Sequence, residues 1–367
     1  MKIIVNGTDL SSAVMKVSKA ISTKTTNPVL EGIKLSVRGD ELTLSATDTE
    51  ISIEKTVRSD TFREGDTVVP GKIFAELVKK LETEDQVELN LSEEGRLKIV
   101  YGSSEVYLSV LGAEEFPLIS KNINEKSFTL SQKDFKEAVT RTSFCCSTDE
   151  SRPILKGCLI DLKDNEMTCV ALDGFRLAVA KKKVKESTGD FRVIIPARSL
   201  NEITRLLEKE EDELTVRTEG NSLKVEVDGT VFITRLLEGE FINYVQILPK
   251  EFITEVKAEK NALMNSLERA TVVARESKNL VKLDIKENHI QITANSESGK
   301  VNETVPAVTD GKDVTIAFNS RYLCDALRAM NEEFVGIYLN NPISPCVMRP
   351  ASGEDYFYLI LPIRISE

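Results

Sequence analysis

Six stretches of the chain place apolar residues at helical spacing. Leu10, Ala13, Val14, Val17 and Ile21 predict a helix over 9–22. Ile73, Leu77, Val78 and Leu81 predict one over 71–81, and Phe135, Ala138, Val139 and Thr142 one over 131–145. Leu200, Ile203, Leu206 and Leu207 mark 197–208. Leu263, Leu267, Ala270 and Val273 mark 260–275, and Tyr322, Leu323, Ala326, Leu327 and Met330 mark 319–330. Asp9, Ser131 and Asn319 are the expected N-caps of three of them. Nearly everything else alternates apolar with polar, as half-buried strands do. The run Ile33–Val37 turns at Arg38-Gly39-Asp40 into Leu42–Leu44, and Leu223–Val227 turns at Asp228-Gly229 into Val231–Ile233. Asp-Gly between alternating runs predicts a hairpin.

The pattern recurs. Pro28-Val29-Leu30-Glu31-Gly32, Ala46-Thr47-Asp48 and Glu115-Phe116 return 125 residues later as Pro153-Ile154-Leu155-Lys156-Gly157, Ala171-Leu172-Asp173 and Glu240-Phe241. A fainter third copy begins to show at Ala294-Asn295-Ser296, 123 residues beyond Ala171. A period this long is a domain rather than a solenoid unit of roughly 20–50 residues. Each copy reads helix, strands, helix, strands, so the fold class is α+β with antiparallel sheet and two helices per copy. Periodicity lapses near 120–126 and 248–255. The expected domains are 1–122, 123–250 and 251–367.

Composition narrows the function. The 367 residues, 41% hydrophobic and 29% charged, can bury real cores, and no run approaches the roughly 18 apolar residues of a membrane span. The first residues lack the apolar core of a signal peptide, so a cytoplasmic protein is expected. The net charge is −11, but it is segregated. The six helical stretches carry 15 Lys/Arg against 8 Asp/Glu, and the remaining chain carries 33 against 51. At least two basic residues in every helix of an acidic protein point to one basic lining built from equivalent helices.

No catalytic constellation is evident. A triad would have to use the single histidine, His289, which opens an alternating run and reads as structural. Gly299-Lys300 lacks the upstream glycine of a phosphate loop. The six cysteines form no C-x-x-C pair; small reduced thiols in the core are the expectation, with no metal and no cofactor. The acidic run Glu208–Glu213 reads as a solvated helix end and turn. A binding scaffold, not an enzyme, fits these absences.

Four motifs carry a family resemblance: Asp149–Gly157, Ala171-Leu172-Asp173-Gly174-Phe175-Arg176-Leu177-Ala178, Ile195-Pro196-Ala197-Arg198 and the terminal Leu361-Pro362-Ile363-Arg364. Together with Thr26-Asn27-Pro28-Val29-Leu30 and the three repeats, they resemble bacterial β sliding clamps, the processivity subunits of DNA polymerase III, along the whole chain. The resemblance implies a head-to-tail homodimer closed into a ring of six similar domains, twelve helices lining the hole. It implies non-specific, topological binding of double-stranded DNA through phosphates. The partners it implies are the replicative polymerase, the clamp loader and other proteins carrying a clamp-binding peptide, in the bacterial cytoplasm at the nucleoid.

Residue by residue, the resemblance places a partner-peptide pocket at Leu155, Leu172, Gly174, Phe175, Arg176, Leu177, Ile242, Ile247, Leu359, Leu361, Pro362, Ile363 and Arg364. Leu155, Leu177, Ile247, Leu361 and Ile363 would frame it, with Arg176 and Arg364 at the rim. Leu172 stands where threonine is frequent, and Phe175 where histidine or tyrosine is frequent. DNA contacts are expected at Lys24, Lys72, Arg152 and Arg198. The dimer contact is expected between the edge strand 105–110, through Val106 and Leu108, and Val272 and Val273 beside the edge at 300–305. Two readings stay open beside this one: an interaction scaffold that never encircles DNA, and a repeat-built enzyme.

Overall fold

The structure, a computed structural model, describes residues 1–364. The helices stand where the apolar spacing predicts them: α1 (Gly7–Val17), α2 (Gly71–Val78), α3 (Gln132–Thr142), α4 (Ala197–Leu206), α5 (Lys260–Ala274) and α6 (Ser320–Arg328). Short 3-10 turns extend four of them, at Ser18–Ala20, Lys79–Leu81, Ser143–Cys145 and Arg275–Ser277. In α1 and α6 the periodic residues are mostly the buried ones: Leu10, Ala13, Val14 and Val17, and Leu323, Ala326 and Leu327. In α2 the expected Ile73 is 57% exposed and Leu77 half-buried, because Phe74 turns with Val78 toward the core instead. Asn319 caps α6 as expected, its side chain accepting from the Arg321 N–H at 3.0 Å. Asp9 does not cap α1. Asn6 Oδ1 accepts from the N–H groups of Thr8 (2.9 Å) and Asp9 (3.2 Å), so the helix opens two residues before the expected start. Asp9 instead lies in the first turn, where the helix dipole favours a carboxylate.

Contacts group the chain into two compact units. The first comprises 1–132, 186–188 and 202–236; the second comprises 133–185, 189–201 and 237–367, of which 237–364 are described. Both units cut through the second sequence repeat, because strands of successive repeats pair. In the first unit, Ile51–Arg58 of repeat one pairs antiparallel with Thr230–Arg235 of repeat two. In the second, Arg176–Lys183 of repeat two pairs antiparallel with Tyr356–Ile360. Ile51–Arg58 and Arg176–Lys183 are the same strand at the 125-residue period.

The first unit holds a five-stranded and a nine-stranded sheet. The five-stranded sheet runs Asp60–Arg63, Lys2–Val5, Val87–Leu91, Arg96–Tyr101 and Ser104–Ser109, so the last strand is the edge that the alternation suggests. The second unit holds a twelve-stranded sheet. One strand in it, Gly299–Asp310, is shared. Its first part pairs with His289–Ser296, and Ala307–Asp310 pairs with Thr254–Glu259. Pro306 sits where the partner changes, and a proline, lacking an N–H, suits that break in the ladder.

The repeated Pro-x-Leu-x-Gly motif has a steric reason. Pro28–Glu31 and Pro153–Lys156 are single 3-10 turns, each followed by a glycine that opens a strand. A Cβ on Gly157 would lie 2.6 Å from the Ile195 carbonyl oxygen, and one on Gly32 would lie 3.0 Å from that of Val69. The expected Asp228-Gly229 hairpin is present, with φ of 47° and 67° at its two turn residues.

Candidate functional site

The second unit brings much of the predicted peptide site together. Leu155, Leu172, Leu177 and Leu359 belong to one buried cluster with Leu159, Val170, Val179, Ile194, Tyr338 and Val347. Strand register explains the meeting: Leu172 faces Leu177 across one hairpin, and Leu177 faces Leu359 across the next pair of strands. Leu177 is 1% exposed and Leu155 5%. These two therefore form a floor rather than a frame, and they serve the core as well. Val347 and Tyr338 complete that floor; nothing in their own apolar runs marks them, because only the pairing of Val347 with Leu359 and with Tyr338 brings them in.

The exposed apolar residues come from two segments. Phe241, Tyr244 and Leu248 pack against the cluster, while Ile242 (48% exposed), Val245 and Ile247 (46%) between them point to solvent. The 3-10 turn Tyr244–Ile247 produces that split. On the terminal segment, the Leu361 N–H donates to the Phe175 carbonyl at 2.9 Å, and Leu361 is 39% exposed. The Ile363 N–H donates to the Ala317 carbonyl at 2.8 Å. Pro362 and Ile363 are half-buried and Arg364 is exposed, so Arg364 is available at a rim.

Arg176 is not a rim residue. Its side chain is 12% exposed and fully engaged. Nε donates to Asp173 at 3.0 Å, Nη1 to Asp325 at 2.7 Å and Nη2 to the Phe144 carbonyl at 3.1 Å. The guanidinium also lies 4.5 Å from the centre of the Tyr322 ring. Burial, with the Asp173 carboxylate nearby, pushes the Tyr322 phenol up. Phe175, 55% exposed, stacks on the same Tyr322 at 6.3 Å. Arg176 thus fixes the turn that presents Phe175. Asp325 and Tyr322 lie 149 and 146 positions from Arg176 in the sequence, with no motif to pair them with it. Gly174 completes the turn with φ of 95°, and Asp173 Oδ1 accepts from the N–H groups of Phe175 and Arg176 at 2.9 and 3.0 Å.

The other predicted residues lie elsewhere. Lys24 is exposed in the loop after α1, and Lys72 and Arg198 are exposed in the first turns of α2 and α4. Arg152 is exposed but its Nε donates to Asp149 at 3.0 Å. Within the first unit, Lys16 and Lys19 of α1 share a groove with Arg205 and Glu202. Several helix cations have carboxylate partners: Arg141 with Glu137, Arg205 with Glu202, Arg269 with Glu303, and Arg328 with Glu268 and Asp325. Four of these five carboxylates are among the eight already counted in the helical stretches; only Glu303, on a strand, takes a helix cation out of the excess. On the edge strand, Val106 is half-buried and Leu108 is 9% exposed. Val272 is 62% exposed and Val273 half-buried on α5, and the stretch Gly299–Pro306 has one side unpaired.

Among the described residues, no group of three or more His, Cys, Asp or Glu side chains could hold a metal ion. No helix there is long and apolar enough to cross a membrane.

Three family models match the chain in succession. They are the N-terminal domain of the DNA polymerase III beta subunit over residues 1–120, the central domain over 129–243 and the C-terminal domain over 245–364. This chain belongs to the DNA polymerase III beta subunit family. The beta sliding clamp of Staphylococcus aureus is 32% identical over 357 residues, 94% of each chain. The sliding clamp structure from Bacillus subtilis superposes with a TM-score of 0.96 at 29% identity, covering all of both chains. A DNA polymerase III beta subunit from Thermotoga maritima gives 0.93 at 29%, again over both full chains. The family is that of the non-catalytic processivity factor of the polymerase, which accounts for the missing catalytic constellation.

Proposed function

We propose that two copies of this chain close head-to-tail around duplex DNA and tether the replicative polymerase to it without reading sequence. The succession of three beta-subunit domains along one chain carries this reading. The three domains are assigned as 1–122, 123–250 and 251–367. DNA is held topologically, with Lys24, Lys72, Arg152 and Arg198 contacting phosphate, so direct affinity is weak and falls as salt rises. The partner site is the Leu155, Leu172, Leu177 and Leu359 floor, bounded by Phe175, Ile242, Ile247, Leu361, Pro362, Ile363 and Arg364, with Gly174 and Arg176 shaping its turn. Its aliphatic walls impose little directional chemistry, which suits docking of the polymerase, the clamp loader and other partners through short apolar peptides.

The test is retention on DNA in high salt. Protein loaded onto closed or nicked circles should stay bound, and cutting the circle should release it. Equal release from circles and linear DNA would overturn encirclement and favour a scaffold that never surrounds DNA. The dimer contact is tested separately. Val272 is the most exposed of the four interface candidates, so Val272→Asp should leave the fold intact and yield monomers in sedimentation. A variant that remains dimeric would place the interface elsewhere.

A further inference from the structure

Two cysteines near the Arg152 loop are already in contact. Cys146 follows the turn Ser143–Cys145, and its sulfur lies 3.5 Å from that of Cys158 on the strand Gly157–Lys163. That is a van der Waals separation; a disulfide requires about 2.05 Å. Cys158 is completely buried in the sheet, whereas Cys146 is partly open. Cys146 lies in the segment that follows that turn, whereas Cys158 is held by strand pairing on both sides. The neighbouring Cys145 is 1% exposed, and burial pushes its thiol up to about 12, which leaves it inert.

We propose that Cys146 and Cys158 form a peroxide-sensitive dithiol whose disulfide closes the loop Ser147–Gly157 into a covalent ring. The Cys146 thiolate attacks hydrogen peroxide; an S–O bond forms, the O–O bond breaks, and the departing hydroxide takes up the proton that the Cys146 thiol gave up and leaves as water. The Cys158 sulfur then attacks the Cys146 sulfenic acid. The S–S bond forms, the S–O bond breaks, and the second hydroxide leaves as water with the Cys158 proton. Two thiols are oxidised and one peroxide is reduced. The contact with Cys146, reinforced by burial, raises the Cys158 thiol well above its ordinary value, so peroxide enters at the partly open Cys146 and Cys158 reacts second because it is already in contact.

The enclosed loop carries Arg152 and Leu155, and the Ser147 N–H donates to the Leu155 carbonyl at 2.7 Å. The bridge would therefore pin one floor residue of the proposed partner site and one proposed phosphate contact. Bridge formation itself does not rest on that functional reading.

The test treats the reduced full chain with hydrogen peroxide, blocks the remaining thiols and digests it with trypsin without reductant. Fragment 142–156 should appear joined to fragment 157–163, two hydrogens lighter than their sum, and dithiothreitol should separate them. Of the six cysteines, about two should lose thiol reactivity after unfolding. Cys145→Ser should keep the link; Cys146→Ser and Cys158→Ser should each lose it. Six reactive thiols after treatment, a link that survives Cys146→Ser, or sulfinic acid at Cys146 with no link would each overturn the proposal.

Discussion

Two hairpin turns 125 residues apart share an aspartate that holds the backbone and differ in the side chains around it. In repeat one, Asp48 Oδ1 accepts from the N–H groups of Glu50 (3.0 Å) and Ile51 (2.8 Å). In repeat two, Asp173 Oδ1 does the same for Phe175 and Arg176. Both turns contain a left-handed residue, Thr49 at φ 76° and Gly174 at φ 95°. The first turn then closes on itself. Thr47 Oγ1 donates to the Ile51 carbonyl at 3.0 Å, and Ile51 is 1% exposed. In the second, leucine replaces that threonine, phenylalanine replaces Glu50 and stands exposed, and arginine replaces Ile51. Duplication preserved the turn, and the side chains alone made one copy a sealed end and the other a candidate docking surface.

The largest expected effect lies at the Ile51/Arg176 pair. Arg176→Ala leaves the mostly buried Asp173 carboxylate without the cation described, while Asp325 keeps Arg328. It should cost about 3–5 kcal/mol of stability, read as a fall in the urea midpoint of the second unit. A loss below about 1 kcal/mol, the level of an exposed ion pair, would mean the guanidinium is not the anchor described. Next, Asp173→Ala should cost about 2 kcal/mol or more, because it removes two turn hydrogen bonds, worth roughly 1 kcal/mol apiece, together with the ion pair to Arg176. A loss below about 1 kcal/mol would mean that this carboxylate does not hold the turn.

Exchanging the left-handed residues gives a smaller signal. Gly174→Thr should destabilise by about 1–2 kcal/mol, since an added Cβ is strained at positive φ. Its Cβ would also meet Arg152 Nη1 at 2.8 Å, though that side chain can move. Thr49→Gly should be neutral or slightly stabilising by the reverse argument. The smallest effect on stability is Phe175→Ala, within about 0.5 kcal/mol for an exposed residue. That substitution should nevertheless weaken a polymerase-derived peptide by about tenfold. Unchanged binding, measured by calorimetry on a folded variant, would move the docking surface away from this turn.

Local chemistry made the helices legible. Their buried faces repeat every turn, so six spans could be placed to within a few residues without any knowledge of neighbours. The start of α1 was misplaced because Asn6 and Asp9 are both good caps in principle, and which one is used depends on where the preceding strand ends. Three of the four floor leucines, Leu155, Leu172 and Leu177, are apolar positions of the quoted motifs, and Leu359 stands two residues before the terminal one. Their depth was not legible, because burial of Leu177 depends on a strand that arrives some 180 residues later. The resemblance puts Arg176 at the rim, and its burial depends on the same kind of distant partner, since Asp325 arrives 149 residues later. The pairing of strands from successive repeats left no trace in either sequence taken alone. Edge strands that look alike can pair in several ways, and only the assembled sheet selects one.

The strand Gly299–Asp310 constrains how this chain can change in length. Because its two parts pair with different neighbours, an insertion of one residue beside Pro306 would turn one part's inward side chains outward while leaving the other part in place. Val305 and Ala307, both buried, fall on opposite sides of that point. Lineages descended from such a chain can therefore vary freely at its turns, but through this strand they are held to a fixed count of residues or to changes in pairs.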